Sequence, residues 1–341
     1  MKSHITYLSF DELADRLCGI FQRHGCPSNV ARLLAENCAA AERDGAHSHG
    51  VFRMRDYVSN LKADGWVDPA ATPVIEDASP GFVRVDARNG FAVPALAGAR
   101  DLGIRKARHN GAAVIAIRNS HHLGALSLDV EPFAEEGMIA LSFINSSPAV
   151  VPYGGHTAVF GTNPFAFAAP RAGEPPLVFD MATSVMAHGD VQIAAREGRA
   201  LEPGIGVDAE GRPTTDPAKV LDGGALLPFG AHKGAAISLM VEILCAALVG
   251  GNFSAEVDPS RHPGAVTANT GQSLLLIDPR KGRGALPDFA GRVSDIVGYV
   301  RDAGQQRLPG DRRLRHRAQS MKRGIPLGAE VLDFLDSLEA A

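Results

Sequence analysis

What this 341-residue chain lacks narrows the reading first. It has four cysteines, Cys18, Cys26, Cys38 and Cys245, and none form the C-x-x-C pair of a zinc ribbon or dithiol redox site. No H-E-x-x-H motif or His/Cys cluster supplies a metal ligand set, so no metal is expected. The longest apolar stretch, 234–249, is interrupted by Ser238 and Glu242 and reads as a buried helix rather than a membrane span. Neither sign of charge dominates: 34 Lys+Arg against 38 Asp+Glu gives −4, which argues against nucleic acid as the main partner. Met1-Lys2-Ser3-His4 leads into polar residues instead of an apolar signal core. The expectation is a cytoplasmic protein with reduced thiols and no membrane partner. There is no internal repeat and no low-complexity tract.

What remains is ordinary for a folded enzyme-sized chain: 45% hydrophobic, 21% charged. At roughly 150 residues per domain the length suggests about two domains. The first 65 residues read as helical. Ser9-Phe10-Asp11-Glu12 is a capping box, followed by Leu13, Leu17 and Ile20 at helical spacing. A second helix starts at Ser28, and a third spans about Val51 to Leu61, ahead of Gly65. The middle alternates: strands at 82–85, 112–117, 139–144, 165–168, 177–179 and 274–277, helices at 94–109, 126–136 and 233–249. The stretch 201–227, rich in Pro and Gly, reads as loop. The tail from Asp288 is mostly helical, with a loop at Pro309-Gly310. The expected fold is α/β (α+β), with a helical substrate and dimer domain built from both termini (1–80 plus 285–341) around an α/β cofactor-binding domain (81–284).

Gly204-Ile205-Gly206-Val207-Asp208-Ala209 fits the G-x-G-x-x-[GA] dinucleotide fingerprint. That fingerprint works only between a strand and a helix. Pro203 before it and Gly211 and Pro213 after it deny both contexts. Ser48-His49-Gly50 is followed by Arg53 and Tyr57, four and eight residues after His49 and so on one helical face. Hydroxyl, imidazole and guanidinium together suit a carboxylate, which an arginine grips through two parallel hydrogen bonds; a helix cap with surface charges accounts for the same spacing. Asn119-Ser120-His121-His122-Leu123-Gly124 follows a strand and precedes a helix, a placement suited to an anion. Adjacent His side chains point apart, which disfavours a metal pair. Asp190, beside His188 in an apolar neighbourhood, suits an acid of raised pKa or the cap of a helix starting at Val191. The basic run 307–317 suits a solvated helix face or cofactor phosphate.

Taken in order, Ser48-His49-Gly50-Val51-x-Arg53, Asn119-Ser120-His121-His122-x-Gly124, Phe160-Gly161-Thr162-Asn163-Pro164, Asp180-Met181-Ala182-Thr183-Ser184, His232-Lys233-Gly234 and Pro309-Gly310 closely resemble the malate/L-lactate dehydrogenase family of the second type, along essentially the whole chain. The resemblance implies a non-Rossmann NAD(P)-binding fold, a homodimer, and hydride transfer to a 2-oxo acid or a cyclic 2-carboxy imine. His188-Gly189-Asp190 resembles the imine-reductase branch, acting on delta-1-pyrroline-2-carboxylate or delta-1-piperideine-2-carboxylate. By this resemblance Asp190, Ser48 and His49 are catalytic, and Arg53, Thr162, His188 and Gly189 bind substrate. NADPH, with NADH as the alternative, would lie along His121, His122, Leu123, Gly124, Ala125, Asp180, Met181, Ala182, His232, Lys233, Arg307, Leu308, Pro309, Gly310, Asp311, Arg312 and Arg313. The arginines of the last loop favour a 2′-phosphate. Arg55 stands where the family often has proline, at the rim of the pocket. The competing reading is a 2-hydroxy-acid dehydrogenase with His121 as its acid/base.

Overall fold

The computed structural model describes residues 5–62, 67–261 and 267–340; the expectations about Met1–His4 and about Gly65 lie outside them. In chain order it runs β1 (Ile5–Leu8), α1 (Phe10–Arg23), α2 (Ser28–Arg43), α3 (Met54–Lys62), β2 (Val74–Ser79), β3 (Phe82–Phe91), α4 (Ala92–Asn110), β4 (Ala112–His121), α5 (Leu126–Glu135), β5 (Ile139–Ile144), β6 (Phe165–Arg171) and β7 (Glu174–Met181). It continues with α6 (His188–Arg196), β8 (Gly206–Val207), β9 (Pro213–Thr214), α7 (Pro217–Leu221), β10 (Ala225–Leu226), α8 (His232–Glu242), β11 (Thr270–Ile277), α9 (Phe289–Asp302), α10 (Asp311–Arg323), β12 (Ile325–Gly328) and α11 (Ala329–Ala340).

The architecture is mixed α/β. Seven strands form one sheet in the order β2-β3-β4-β11-β5-β6-β7. β3 and β4, joined by the α4 crossover, pair in parallel, and the other neighbours pair antiparallel. The two-residue period of β11 sorts its faces. Leu274 and Leu276 enter the core with residues of α4 and α5, such as Ala99 and Phe133. Ser273, on the other face, donates to the Leu244 carbonyl at 2.6 Å, in the π-turn Ile243–Ala247 that continues α8.

A second core packs α1, α2 and α3 against β12 and α11. The capping box is present: Ser9 N–H donates to Glu12 Oε2 at 2.7 Å and Glu12 N–H to Ser9 Oγ at 3.2 Å. Leu13, Leu17, Ile20 and Phe21 of α1 are fully buried, each contributing about 1.5–3 kcal/mol of apolar transfer. That packing, more than propensity, holds a 14-residue helix. A third, smaller core joins α6 and α7 to the strands β8–β10 through Val191, Ala194, Ile205, Val220 and Leu226.

Several expected elements are revised. The segment 201–227 is not all loop: it holds a three-stranded sheet, β10-β8-β9, and α7. The third helix starts at Met54, after a tight turn over Val51–Arg53. β4 continues past Ile117 to His121, because β3 and β11 go on pairing with it at Phe91↔His121 and Thr270↔Ser120. Gly206 opens a strand pair with Thr214, so the G-x-G-x-x-[GA] segment meets no helix. Among the described residues no helix is long and apolar enough to cross a membrane.

Candidate active site

The elements holding the catalytic candidates come from two of these cores, the segment between α2 and α3 from one and α6 from the other. α2 ends at Arg43, and Gly45, at φ +77°, reverses the chain. One turn over His47–His49 and another over Val51–Arg53 lead into α3. Within them Ser48 Oγ lies 3.1 Å from His49 Nδ1. Arg53 is buried, and its Nε donates to the Ser48 carbonyl at 2.8 Å. Its Nη1 donates to Asp56 at 2.8 Å and reaches Gln192 of α6 at 3.5 Å. Nη2 is left facing Gly189, where a Cβ would stand 2.7 Å from it and 3.2 Å from Ser48 Cβ. The guanidinium is therefore not the free fork expected from sequence: one edge is already used, and a carboxylate arriving there meets Nη2 first.

α6 begins at His188, not Val191, with Ala187 as its N-cap. Asp190 consequently sits in the first turn, its backbone N–H donating to the Ala187 carbonyl at 3.0 Å. Its side chain is exposed, without the apolar surroundings expected for it. His188 and His49 are partly open to solvent yet crowded by protein. Burial and the nearby Arg53 charge push His49 down to about 3 and His188 down to about 4, so both imidazoles are neutral at pH 7. A neutral His49 beside Ser48 can take a proton on one nitrogen while releasing one from the other.

His121 and His122 take different places. His121 is 2% exposed, at the end of β4, among Tyr57 and Phe91. Its Nδ1 lies 2.5 Å from the Thr267 carbonyl and its Nε2 2.6 Å from Asn60 Nδ2. The carbonyl calls for a proton on Nδ1, and the Asn60 amide holds the far edge of the ring. His122 pairs with buried Asp129 at 3.0 Å, and Asp129 also accepts from Gln272 at 2.7 Å. Asp180, at the end of β7, accepts from the Ser127 N–H of α5 at 2.9 Å. Crowding by protein raises its carboxyl to about 6, against that hydrogen bond and with help from the Asp129 charge.

Leu123, Gly124 and Ala125 pack between α2 and α5, and a Cβ on Gly124 would stand 2.5 Å from the buried Asn37 Oδ1. Thr162 is partly exposed, and its carbonyl accepts from both the N–H and the Oγ1 of Thr183 at 2.9 Å. His232 and Lys233 are exposed in the first turn of α8, with Met181 exposed and Ala182 partly so on the β7 side. Arg307, Pro309 and Arg312 are exposed around the N-terminus of α10, whereas Leu308 is buried. Asp311, the first residue of α10, ties back the preceding loop by accepting from the Leu308 N–H at 2.9 Å; Gly310, at φ +85°, packs on the Val178 carbonyl. Arg313 is committed elsewhere. It bonds Glu131 of α5 through both Nη atoms, at 2.7 and 2.9 Å, beside Arg317, which bridges Glu131 and Asp44.

The donor set suits a nicotinamide dinucleotide. Exposed cations at the N-termini of α8 and α10 match phosphate, and the accessible Asp180 carboxylate matches hydroxyl or amide donors. Among the described residues no three His, Cys, Asp or Glu side chains are grouped to hold a metal. Sequence reasoning missed Glu42, Asp56, Asp129 and Gln192. Glu42 carried one signal: it lies four residues after Cys38 on the buried stripe of α2.

A mixed α/β protein that gathers a buried guanidinium, two neutral histidines and the first turn of α6 has the side chains of a site for a small organic acid. The comparisons narrow this. A profile of the malate/L-lactate dehydrogenase family matches residues 8–336, and the chain belongs to that family. It is 59% identical to a Delta(1)-pyrroline-2-carboxylate/Delta(1)-piperideine-2-carboxylate reductase of Pseudomonas syringae pv. tomato, over 97% of this chain and 96% of that one. It is 57% identical to the Pseudomonas putida protein of the same name, over 98% of each. The crystal structure of delta1-piperideine-2-carboxylate reductase from Pseudomonas syringae superposes with a TM-score of 0.94 at 58% identity, covering 98% of this chain and 99% of that one.

Proposed function

We propose that the chain reduces a cyclic 2-carboxy imine, delta-1-pyrroline-2-carboxylate or delta-1-piperideine-2-carboxylate, to L-proline or L-pipecolate. NADPH is the preferred cofactor and NADH the alternative. The names of the relatives at 57–59% identity support this. The observation that carries it is the contact of the Ser48–Arg53 segment with Gly189, the residue before exposed Asp190. Arg53 Nη2 takes the substrate carboxylate. Asp190 delivers the proton to the imine nitrogen, with Ser48 and neutral His49 as a relay to solvent. Thr162, His188 and Gly189 shape the pocket around the ring. When bound, the reduced nicotinamide supplies the hydride that the imine carbon accepts.

His232 and Lys233 hold the diphosphate and Asp180 to Ala182 the nicotinamide half, beside the segment from His121 to Ala125. Exposed Arg307 and Arg312, in the loop from Arg307 to Asp311, favour a 2′-phosphate; Arg313 acts only by bracing α10. The sheet, with its single parallel pair, supports a cofactor site unlike the Rossmann type. We divide the chain into 1–80 plus 285–341 and 81–284, α9 packing across this boundary onto β6. The exposed Leu239, Met240, Ile243 and Leu248 of the α8 region support a homodimer, which we place in the cytoplasm.

The test is loss of NADPH absorbance with pyrroline-2-carboxylate or piperideine-2-carboxylate, and none with pyruvate or oxaloacetate. The reverse pattern establishes the hydroxy-acid reading. The sealed surroundings of His121 weigh against its acid/base role.

A further inference from the structure

We propose that Glu42 is the positioning residue of the turn that carries Ser48 and His49, an inference that rests on the relay role given to those two residues. Glu42 is 7% exposed at the last buried position of α2. Its carboxylate spans the turn from one end to the other. Oε1 lies 2.5 Å from His47 Nδ1, and Oε2 accepts the Val51 N–H at 2.9 Å. Ser48, His49 and Gly50 are the three residues bracketed between these two bonds. Gly50 is glycine for the same reason: a Cβ there would run into the Glu42 carboxylate.

Other bonds within the turn act locally. His49 N–H donates to the Ala46 carbonyl at 2.8 Å, and Gly50 N–H to the His47 carbonyl at 3.2 Å. Those shape the turn; Glu42 anchors it to α2. The neighbours of Glu42 on the buried stripe are Leu34, Ala35, Cys38, Ala39 and Ala41. An apolar residue would satisfy helix packing there. A carboxylate in such a place is costly unless its oxygens are bonded, and both of its bonds go to the turn. Fixing the turn matters because a displacement of about 1 Å at a reacting group costs on the order of 10²-fold in rate.

The experiment compares E42A, E42Q and H47A with the wild-type enzyme. It measures kcat and KM on whichever imine or oxo acid the wild type reduces, NADPH affinity by fluorescence, and melting temperature. E42A should lose about 10²-fold in kcat, with KM and NADPH affinity within about threefold. E42Q keeps an acceptor for the Val51 N–H and should recover about tenfold of that loss, remaining about tenfold below wild type; H47A should resemble E42Q. The proposal falls if E42A keeps kcat within about threefold, or if kcat, KM and cofactor affinity decline together with melting temperature. Should E42A not fold, wild-type kcat in both E42Q and H47A overturns the idea, and a lowered kcat at unchanged KM upholds it. Wild type reducing only an oxo acid would overturn the substrate assignment alone, since the order of the variants is read on that substrate equally well.

Discussion

Arg53 and Gly189 approach so closely that a Cβ on Gly189 would stand 2.7 Å from the guanidinium Nη2. Gly189→Ala therefore pushes Nη2 out of the position proposed for the substrate carboxylate. KM for the imine acid should rise about tenfold or more, with NADPH affinity unchanged. Steady-state kinetics and fluorescence titration read the two separately, and an unaltered KM would remove Arg53 from that role.

Asp190→Asn keeps the shape of the α6 first turn and removes the ionisable proton. If Asp190 is the donor, kcat should fall about 10²-fold or more, within the usual worth of a positioned acid. Turnover within about threefold of wild type assigns the proton to another group.

Asp44, Glu131, Arg313 and Arg317 tie α2, α5 and α10 together, with the carboxylates 2% and 7% exposed. Burial alone would raise both carboxyls, but the guanidinium bonds outweigh it and hold them below the usual range. Their stabilisation is thus complete above the ordinary carboxylate values near about 4, and it fades as pH drops through the depressed folded values. Arg317→Ala leaves Glu131 to Arg313 and Asp44 to Arg43 and Arg313, so at pH 7 it should cost about 1.5–3 kcal/mol for the lost charged hydrogen bonds, short of the cost of a wholly unpaired buried charge. Denaturant melts should show that gap narrowing below about pH 4.

Asp180 has the opposite sign. Its carboxyl is raised to about 6, so the folded state favours its protonated form, and stability declines as pH rises through that value. Asp180 is exposed, and solvent weakens that preference, so Asp180→Asn should melt only slightly higher than wild type at about pH 7.5, with the difference vanishing near about pH 4. NADPH affinity should fall at neutral pH if Asp180 serves the cofactor. Equal melting temperatures across that range would contradict the raised value.

The sequence by itself determined what depends on neighbours along the chain. The Ser9/Glu12 capping box, the buried stripe Leu13-Leu17-Ile20 and the failure of the Gly204–Ala209 fingerprint were all legible, because caps, periodicity and turn residues act over a few positions. The motif blocks gave the family, since their order is a linear property. Tertiary structure decided the rest. The polar run Arg118–His121 became strand only because β3 and β11 supply partners from distant segments. Arg313 looked like a phosphate ligand until Glu131, 182 positions away, claimed its guanidinium. Asp190 looked enclosed until α6 turned it outward, and only packing brings the Glu42 carboxylate to His47 and Val51. Which donor meets which acceptor is fixed by packing between elements, and local spacing carries no record of it.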